Sequence, residues 1–361
     1  MARQYILVIN PGSTSTKVAV FREATLVIED SLTHSTSELD QFANITDQFD
    51  YRKAMILSWL KANAINLDQV QAVVARGGLL RPMPSGIYKV SSVMIDDLRV
   101  GIQGDHASNL GGIIAKSIAD GEGIEAFIVD PVAVDEFDDV ARVSGMPDLV
   151  RKSLVHALNV RAIGHNVAHE LGRPFNEMNM VIAHLGGGIS IVPLRKGKMI
   201  DANNANEMGP FSPERSGGLP VTDLVKMCYS GDYTMQTLKP KIRGKGGLIA
   251  YLGTGDAREI VKRIEQGDRQ AALIYQAMAY QIAKEIGAMA TVLAGNIDAI
   301  VLTGGVAYSK YLTDYVSEHI SFIAPVIIKP GEDEMTALNA GYLRMLSGEE
   351  KVKIYEDEVT L

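Results

Sequence analysis

The chain has 361 residues, which exceeds the usual size of one hydrophobic core, so we expect two domains. Its net charge of −8 argues against a surface that attracts nucleic acid or an anionic membrane over long range. Cys228 is the single cysteine, which excludes an intrachain disulfide. The sequence shows neither the pattern of a signal peptide nor an apolar run long enough to span a membrane. We therefore expect a cytoplasmic protein that binds no nucleic acid and no membrane.

Two apolar hairpins of the same design occur about half a chain apart. The first spans residues 5–21 and turns at residues 10–17, which are rich in Ser and Thr. The second spans residues 180–194 and turns at three consecutive glycines, residues 186–188. Because glycine has no Cβ, a ligand phosphate can approach the backbone N–H groups of such a turn closely. The repeated design predicts a duplicated α/β domain.

Hydrophobic spacing predicts the remaining elements in chain order. Further strands are predicted at residues 25–29, 70–75, 124–129, 297–302 and 326–328, and helices at residues 51–63, 110–119, 148–171, 256–264, 270–293 and 334–346. Asp50, Asp148 and Asp256 are predicted N-caps, because their short side chains can accept helix N–H groups. Residues 203–220 are dense in Gly, Pro, Asn and Ser and predict a long irregular loop, which inside a compact domain is usually functional.

Polar side chains follow two of the predicted strands. Arg76 ends the strand at residues 70–75, and Asp130 ends the strand at residues 124–129. Open α/β sheets bind ligands at the carboxyl ends of their strands. Arg215 lies in the irregular loop, and a guanidinium fork there or at Arg76 can grip a carboxylate or a phosphoryl group bidentately. We therefore expect an anion-binding site.

Three loop motifs carry a resemblance to a known superfamily. Residues 10–17, 184–188 and 302–305 occur in the order of the two phosphate loops and the adenosine loop shared by acetate and sugar kinases, heat-shock chaperone ATPases and actin. Within that superfamily the chain resembles the acetate kinase and butyrate kinase family over nearly its whole length. Residues 75–80 and the triple glycine are more similar to the butyrate branch, since acetate kinases tend to have asparagine where Gly187 stands.

The resemblance implies a fold and a domain organisation. It implies duplicated ribonuclease H-like domains of the actin and hexokinase type, with mixed five-stranded sheets and an interdomain cleft. The N-terminal domain would contain residues 1–131 and 335–361 with the first phosphate loop. The C-terminal domain would contain residues 132–334 with the second phosphate loop and the adenosine loop. It further implies a homo-oligomer, a dimer or larger.

The implied activity is reversible phosphorylation of a short-chain carboxylate by ATP, with butyrate and ATP giving butyryl phosphate and ADP in the presence of Mg²⁺. Acetate and branched acids of the isobutyrate type are alternatives on the same scaffold. A carboxylic acid has a pKa of about 4 to 5, so the substrate is ionised at neutral pH and needs no general base. The demand on the enzyme is electrostatic, because negative charge spreads over the transferring phosphoryl group.

The resemblance also implies which residues form the site. Arg76, His106, Asp130, His156, His184 and Arg215 would form the catalytic site. The nucleotide would be bound by Asn10, Ser13, Ser15, Lys17, Gly186, Gly187, Gly188, Asp256, Ala257, Arg258, Gly304, Gly305 and Val306. Asp130 and Glu334 would organise Mg²⁺, which keeps much of its water and needs few carboxylates. The histidines can donate N–H groups to the phosphoryl oxygens.

Two other classes of protein share some of these features. The glycines suggest a dinucleotide-dependent dehydrogenase, but residues 186–188 lead into a strand, whereas a Rossmann fingerprint leads into a helix. A nucleotide-driven switch of the chaperone or actin kind has the same scaffold, yet it does not need Arg76 and Arg215 beside the nucleotide. Formation of ADP that depends on a carboxylic acid separates a kinase from such a switch.

Overall fold

The computed structural model describes residues 3–360, which divide into two structural units. Within that range, unit 1 contains residues 3–135, 157–162 and 333–360, and unit 2 contains residues 136–156 and 163–332. Met1, Ala2 and Leu361, which belong to the predicted N-terminal domain, lie outside the described residues.

The elements alternate between strand and helix along much of the chain. In chain order the strands are β1 (Tyr5–Pro11), β2 (Ser15–Arg22), β3 (Thr25–Thr33), β4 (Val70–Arg76), β5 (Ile87–Lys89), β6 (Glu125–Val129), β7 (Met180–Leu185), β8 (Ile189–Arg195), β9 (Lys198–Met199), β10 (Ala299–Gly304) and β11 (Val326–Pro330). The α-helices are α1 (Thr36–Leu39), α2 (Phe49–Ala62), α3 (Ser92–Val100), α4 (Asn109–Glu122), α5 (Asp139–Arg142), α6 (Ala157–Glu170), α7 (Val221–Tyr229), α8 (Met235–Ile242), α9 (Gly247–Leu252), α10 (Ala257–Glu265), α11 (Arg269–Val292), α12 (Lys310–Ile320), α13 (Glu334–Leu346) and α14 (Tyr355–Glu358).

Each unit contains one mixed sheet. In the described part of unit 1 the strand order is β3-β2-β1-β4-β6-β5, with β4 parallel to both β1 and β6 and the other neighbours antiparallel. In unit 2 the order is β11-β10-β7-β8-β9, with β10 parallel to both β7 and β11 and the other neighbours antiparallel. The two sheets share one pattern of order and direction, apart from β5. The predicted duplication of an α/β domain is therefore confirmed.

The sheet of unit 1 has one strand more than the five expected. Residues Ile87–Lys89 form β5, which pairs antiparallel with β6 so that Ile87 lies opposite Val129. Three residues are too few to give a hydrophobic period, so this strand was missed.

Helices cover both faces of the unit 1 sheet, which explains why β1 is apolar throughout. Leu7 and Ile9 pack in the cluster that includes α2, α3 and α4. Ile6 and Val8 pack on the other face against α13. Successive side chains of a strand point to opposite faces, so a strand buried on both sides loses the usual alternation of apolar and polar residues.

The core of unit 2 forms around the longest helix. Val181 and Ala183 of β7 and Ile191 of β8 pack in one cluster with Tyr275 and Ile282 of α11. Helices α9, α10 and α12 contribute to the same cluster. This packing fixes the hairpin of β7 and β8, whose turn contains the triple glycine.

The predicted helix at residues 148–171 was wrong in its first part. Helix α6 begins at Ala157, and His156 is its N-cap rather than a residue within it. Asp148 caps no helix, and Leu149 and Val150 after it are each 60% exposed. The Arg151 N–H donates to the Arg142 carbonyl, and its guanidinium binds Asp201, so tertiary contacts override the helical spacing there.

The other predicted caps had different outcomes. Asp256 caps α10 by accepting the Arg258 N–H at 2.8 Å, as predicted. Asp50 lies in the first turn of α2 instead of capping it, because a 3-10 helix at Ile45–Gln48 leads directly into α2.

Residues 203–220 contain no helix or strand, which confirms the predicted loop. Among residues 3–360, no helix is both long and apolar enough to cross a bilayer.

Helix α4 packs closely against the end of β4 at Gly111, and a substitution there tests this packing. A Cβ at Gly111 would lie 2.3 Å from the Arg76 carbonyl oxygen, whereas a Cβ at Gly121 in the same helix would meet nothing within 4 Å. We expect Gly111→Ala to lower the free energy of unfolding by about 2 kcal/mol or more. Gly121→Ala should raise it by up to about 1 kcal/mol, because alanine favours helix. Urea unfolding followed by circular dichroism measures both, and equal midpoints for the two variants would contradict this packing.

Candidate functional site

The turn between β1 and β2 directs its carbonyl groups inward. The Arg52 guanidinium donates to three of the four carbonyl oxygens of residues 12–15, at 2.8 to 3.2 Å. The backbone N–H of His34 donates to the fourth at 2.9 Å. The backbone N–H groups of Ser13 and Thr14 have no acceptor among residues 3–360, and both residues are exposed. The turn therefore offers N–H donors to a ligand, which suits an anion.

The turn between β7 and β8 has an arginine packed on it. A Cβ at Gly188 would lie 2.3 Å from Nη1 of Arg215, so only glycine permits this contact. Ser212 Oγ donates to the Gly187 carbonyl at 2.5 Å and accepts the Arg215 N–H at 3.1 Å. The Gly186 N–H donates to the Gly188 carbonyl at 3.1 Å. The irregular loop thus holds a guanidinium against the glycine turn.

Four predicted site residues of unit 1 meet around one carboxylate. Glu334, the first residue of α13, forms an ion pair of 2.6 Å with Nη1 of Arg76. Asn10 Nδ2 donates to the other carboxylate oxygen at 2.6 Å, and Lys17 Nζ lies 4.0 Å from it. The Glu334 side chain is 14% exposed. This group, the Glu334 cluster, concentrates two cations beside the ends of β1 and β4.

Asp130 lies in a different, buried network of the same unit. Its Oδ1 accepts the Gly86 N–H at 2.7 Å and lies 3.1 Å from Nε of Arg161. Burial raises the pKa of Asp130 to about 6, although the positive charge of Arg161 opposes this shift. The side chain is 1% exposed. The structure therefore places the carboxylate of Asp130 in an enclosed ion pair and not in the Glu334 cluster.

Two predicted histidines of unit 2 lie together next to the glycine turn. The imidazole centroids of His156 and His184 are 4.5 Å apart. His156 Nδ1 is 2.9 Å from Ser190 Oγ, and His184 Nε2 is 3.3 Å from a carboxylate oxygen of Glu332. A Cβ at Gly186 would lie 3.3 Å from Nε2 of His184. The structure thus brings His156, His184 and the turn into one site.

His106 precedes α4 and is oriented by its neighbour. Its Nδ1 accepts the Ser108 N–H at 3.2 Å and lies 2.7 Å from Ser108 Oγ. A neutral imidazole in this arrangement carries its proton on Nε2 and can donate from that atom. Both of these contacts lie in the loop that leads into α4.

A cavity of about 1070 Å³ in unit 2 contains most of the predicted adenosine residues. It is lined by Gly255, Asp256, Ala257, Arg258, Val261, Lys262, Ile264, Glu265, Gly305, Val306, Tyr308, Ser309, Lys310 and Tyr311. Two of these residues, Asp256 and Arg258, form an ion pair of 2.6 Å, and the arginine lowers the pKa of Asp256 to about 2. Gly304 is not in the lining. Its φ is +89°, and a Cβ there would lie 2.4 Å from the Leu185 carbonyl.

The carboxylates fit a magnesium ion unequally. Among residues 3–360 no group of three or more His, Cys, Asp or Glu side chains could hold a metal. Magnesium bound by one carboxylate, phosphate oxygens and water needs no such group. Glu334 is partly exposed and suits this role, whereas Asp130 is enclosed with Arg161.

The sequence motifs gave no indication of three residues that hold the predicted site elements in place. Arg52, Ser212 and Arg161 each hold a predicted element in place, yet none belongs to a recognised motif. A signal for Arg52 was available, since it lies on α2 one turn before Ile56, on the helix face that is buried.

Comparisons with known proteins found a matching family and similar sequences. A profile described as the acetokinase family matches residues 145–327. The chain is 53% identical, over 97% of its length and 99% of the relative's, to a protein of Caldanaerobacter subterraneus subsp. tengcongensis named probable butyrate kinase 2. It is 52% identical, over 97% of its length and 99% of the relative's, to butyrate kinase 2 of Clostridium acetobutylicum.

A solved structure shows the same fold. Acetate kinase of Porphyromonas gingivalis matches with a TM-score of 0.78 at 21% identity, over 95% of this chain and 100% of that one. The predicted fold class, that of duplicated domains of the acetate and sugar kinase type, is thereby confirmed. The chain belongs to the acetokinase family.

Proposed function

We propose that this chain catalyses the reversible transfer of the γ-phosphoryl group of ATP to butyrate, which gives butyryl phosphate and ADP. The observation that carries the proposal is the 53% identity, over 97% of the chain, with a protein named probable butyrate kinase 2. Acetate and branched short-chain acids are the alternative substrates. We also propose that the enzyme is cytoplasmic and forms a homo-oligomer.

The ionised acid is the nucleophile in this mechanism. Because a carboxylate already has a lone pair available at neutral pH, no side chain has to remove a proton from it. The protein contributes positioning, and it stabilises the charge that spreads over the equatorial oxygens of the phosphoryl group.

We assign that stabilisation in unit 2 to Arg215 and the two neighbouring histidines. Burial lowers the pKa of Arg215, and the nearby Arg243 adds to this shift, but a guanidinium remains charged at neutral pH. The position of Arg215 against Gly188 supports this role, because it sets the cation beside the turn that would hold phosphate. His156 and His184 would donate N–H groups to the phosphoryl oxygens.

We assign nucleotide binding to a cavity of unit 2 and to the two hairpin turns, one in each unit. The cavity lined by Ala257, Arg258 and Val306 would hold the adenosine, and its tyrosines offer apolar surface to the base. The exposed N–H groups of residues 13–14 in unit 1 and of Gly187 in unit 2 would bind phosphate oxygens. Asn10, Ser15 and Lys17 would contribute polar groups beside the first turn.

We assign the positioning of the acid to Arg76 and His106, and the magnesium site to Glu334. When bound, Mg²⁺ would neutralise part of the negative charge on the phosphate chain. Glu334 would hold it through its carboxylate or through water, since its carboxylate is partly exposed. Asp130 would act indirectly from its enclosed position. Its carboxylate would fix the end of β6 through the Gly86 N–H and Arg161, and it would place a negative charge near the site.

The proposed activity predicts formation of ADP that depends on the acid. With ATP and Mg²⁺, butyrate should support turnover, and acetate should give a kcat/KM lower by about 30-fold or more, because it lacks two methylenes and each is worth about 1–3 kcal/mol. Acyl phosphate trapped by hydroxylamine measures the product directly. Equal ADP formation with and without an acid would contradict the proposal, and a preference for acetate or isobutyrate would favour an alternative substrate.

Removal of the Arg215 guanidinium should act on the chemical step. We expect Arg215→Ala to lower kcat by about 100-fold or more and to change KM for the acid little, because the cation serves charge that develops in the transition state. Arg195→Ala is the matched control, since Arg195 forms an exposed ion pair with Asp138 in the same unit. Steady-state kinetics of both variants measure the effect. A loss confined to KM would assign Arg215 to substrate binding.

Direct attack of the carboxylate on phosphorus predicts inversion at that atom. One displacement inverts the configuration, whereas a phosphorylated enzyme intermediate requires two displacements and restores it. ATP made chiral at the γ-phosphorus with oxygen isotopes should therefore give inverted acyl phosphate. Net retention would overturn direct transfer and would make His156 or His184 the suspected nucleophile.

A further inference from the structure

Arg52 is a buried cation directly behind the turn at residues 12–15. The residue is 1% exposed, and among residues 3–360 no acidic side chain forms an ion pair with it. A buried charge without a counter-charge is unfavourable unless hydrogen bonds or another charge compensate it. The groups that compensate the buried charge of Arg52 therefore indicate the role of this residue.

Neutral oxygens take up the donors of the guanidinium. Nε and Nη2 donate to Gln48 Oε1 at 3.0 and 2.8 Å, and Nη1 donates to Thr16 Oγ1 at 3.0 Å. The remaining bonds go to the carbonyl oxygens of residues 12, 13 and 15. Burial lowers the pKa of Arg52 to about 10, so the group is still charged at neutral pH. Hydrogen bonds satisfy its donors, but its positive charge is not neutralised.

The neighbouring histidine supplies no opposite charge. His34 Nε2 lies 2.8 Å from Thr16 Oγ1, and the residue is buried. Burial, together with the charge of Arg52, lowers the pKa of His34 to about 4, so the ring is neutral at pH 7. His34 and Thr16 thus extend the hydrogen-bond network and leave its net charge at +1.

The guanidinium orients the peptide groups of the turn. Because the carbonyl oxygens point to Arg52, the N–H groups of Ser13 and Thr14 are left for the exposed side. Those peptide dipoles are aligned with the positive charge behind them, so an anion at the exposed face meets the positive ends of the dipoles and the charge of Arg52 together.

We infer that Arg52 is a positioning residue for a phosphoryl group bound at residues 12–15, and that the bound anion is the counter-charge that the buried guanidinium lacks. Arg52 acts through the turn and does not touch the ligand. This inference rests on the proposed function, in which the first turn binds phosphate of the nucleotide.

Three variants separate the contributions of charge and geometry. Arg52→Met removes the charge and the donors, while Arg52→Lys keeps the charge and loses the planar fork. Gln48→Glu keeps an acceptor at the same place and adds a carboxylate beside Arg52, which neutralises the charge. Arg81→Met is the control, because Arg81 is an arginine of unit 1 that is partly buried and binds Asp97 at 2.8 Å.

Affinity for AMP-PNP with Mg²⁺, measured by calorimetry, and the thermal unfolding midpoint are the two main readouts. We expect Arg52→Met to weaken AMP-PNP binding by about tenfold or more, and Arg52→Lys to restore part of that affinity. Gln48→Glu should weaken binding by a few fold while its unfolding midpoint without ligand stays equal or rises. Arg81→Met should lower the midpoint and leave the affinity unchanged.

The outcomes distinguish this inference from the proposed function. If the unaltered chain forms no acyl phosphate, the proposed function fails, yet the effect of these variants on AMP-PNP affinity still decides the role of Arg52. If Gln48→Glu and Arg52→Lys both fold and bind AMP-PNP as the unaltered chain does, the inference is overturned, even where Arg52→Met fails to fold. Absence of AMP-PNP binding to the unaltered chain would overturn it as well.

Discussion

The structure depends on how the peptide groups at two hairpin turns are held. In each turn, hydrogen bonds from the same unit engage carbonyl oxygens, and exposed N–H groups remain that could bind a ligand. Arg52 engages them in unit 1, whereas in unit 2 Ser212 and an internal bond within residues 186–188 do so. A backbone donor is fixed in place more firmly than a long side chain, so it stabilises an anion with little reorganisation. The duplicated fold thus repeats one physical solution with different residues.

Close packing at glycines affects the guanidinium of one predicted arginine and the backbone of the other. Gly188 lets the Arg215 guanidinium lie against the second turn, and Gly111 lets α4 approach the carbonyl of Arg76. Neither contact could form with a Cβ in place. The charge of an arginine is useful in catalysis only where its position is fixed, because a mobile cation must be ordered during the reaction. Gly188 therefore contributes to the electrostatics of the proposed site as well as to packing, whereas Gly111 contributes to packing at the end of β4.

Much of the fold was predictable because its strongest signals are local. The two hairpins, the cap at Asp256 and the bounds of α13 follow from spacing, turn composition and short polar side chains. The start of α6 was not, because tertiary contacts of Arg151 decide it. The motifs predicted residues that would face ligands, but they could not predict Arg52, whose hydrogen bonds reach residues 36 to 40 positions away in the chain.

The uncompensated charge of Arg52 also has a consequence for the whole protein. A net charge of −8 would by itself repel a polyphosphate, so the attraction has to come from a few local positive groups. Salt and water screen the charge of an exposed lysine. The charge of a buried guanidinium acts through protein, where the effective dielectric constant is lower, and is therefore screened less. One buried cation behind a turn can thus attract a bound anion more strongly than several exposed cations on the surface. An acidic enzyme with an anionic nucleophile and an anionic nucleotide would gain from this arrangement, since the positive charge is confined to the turn at which we propose that phosphate binds.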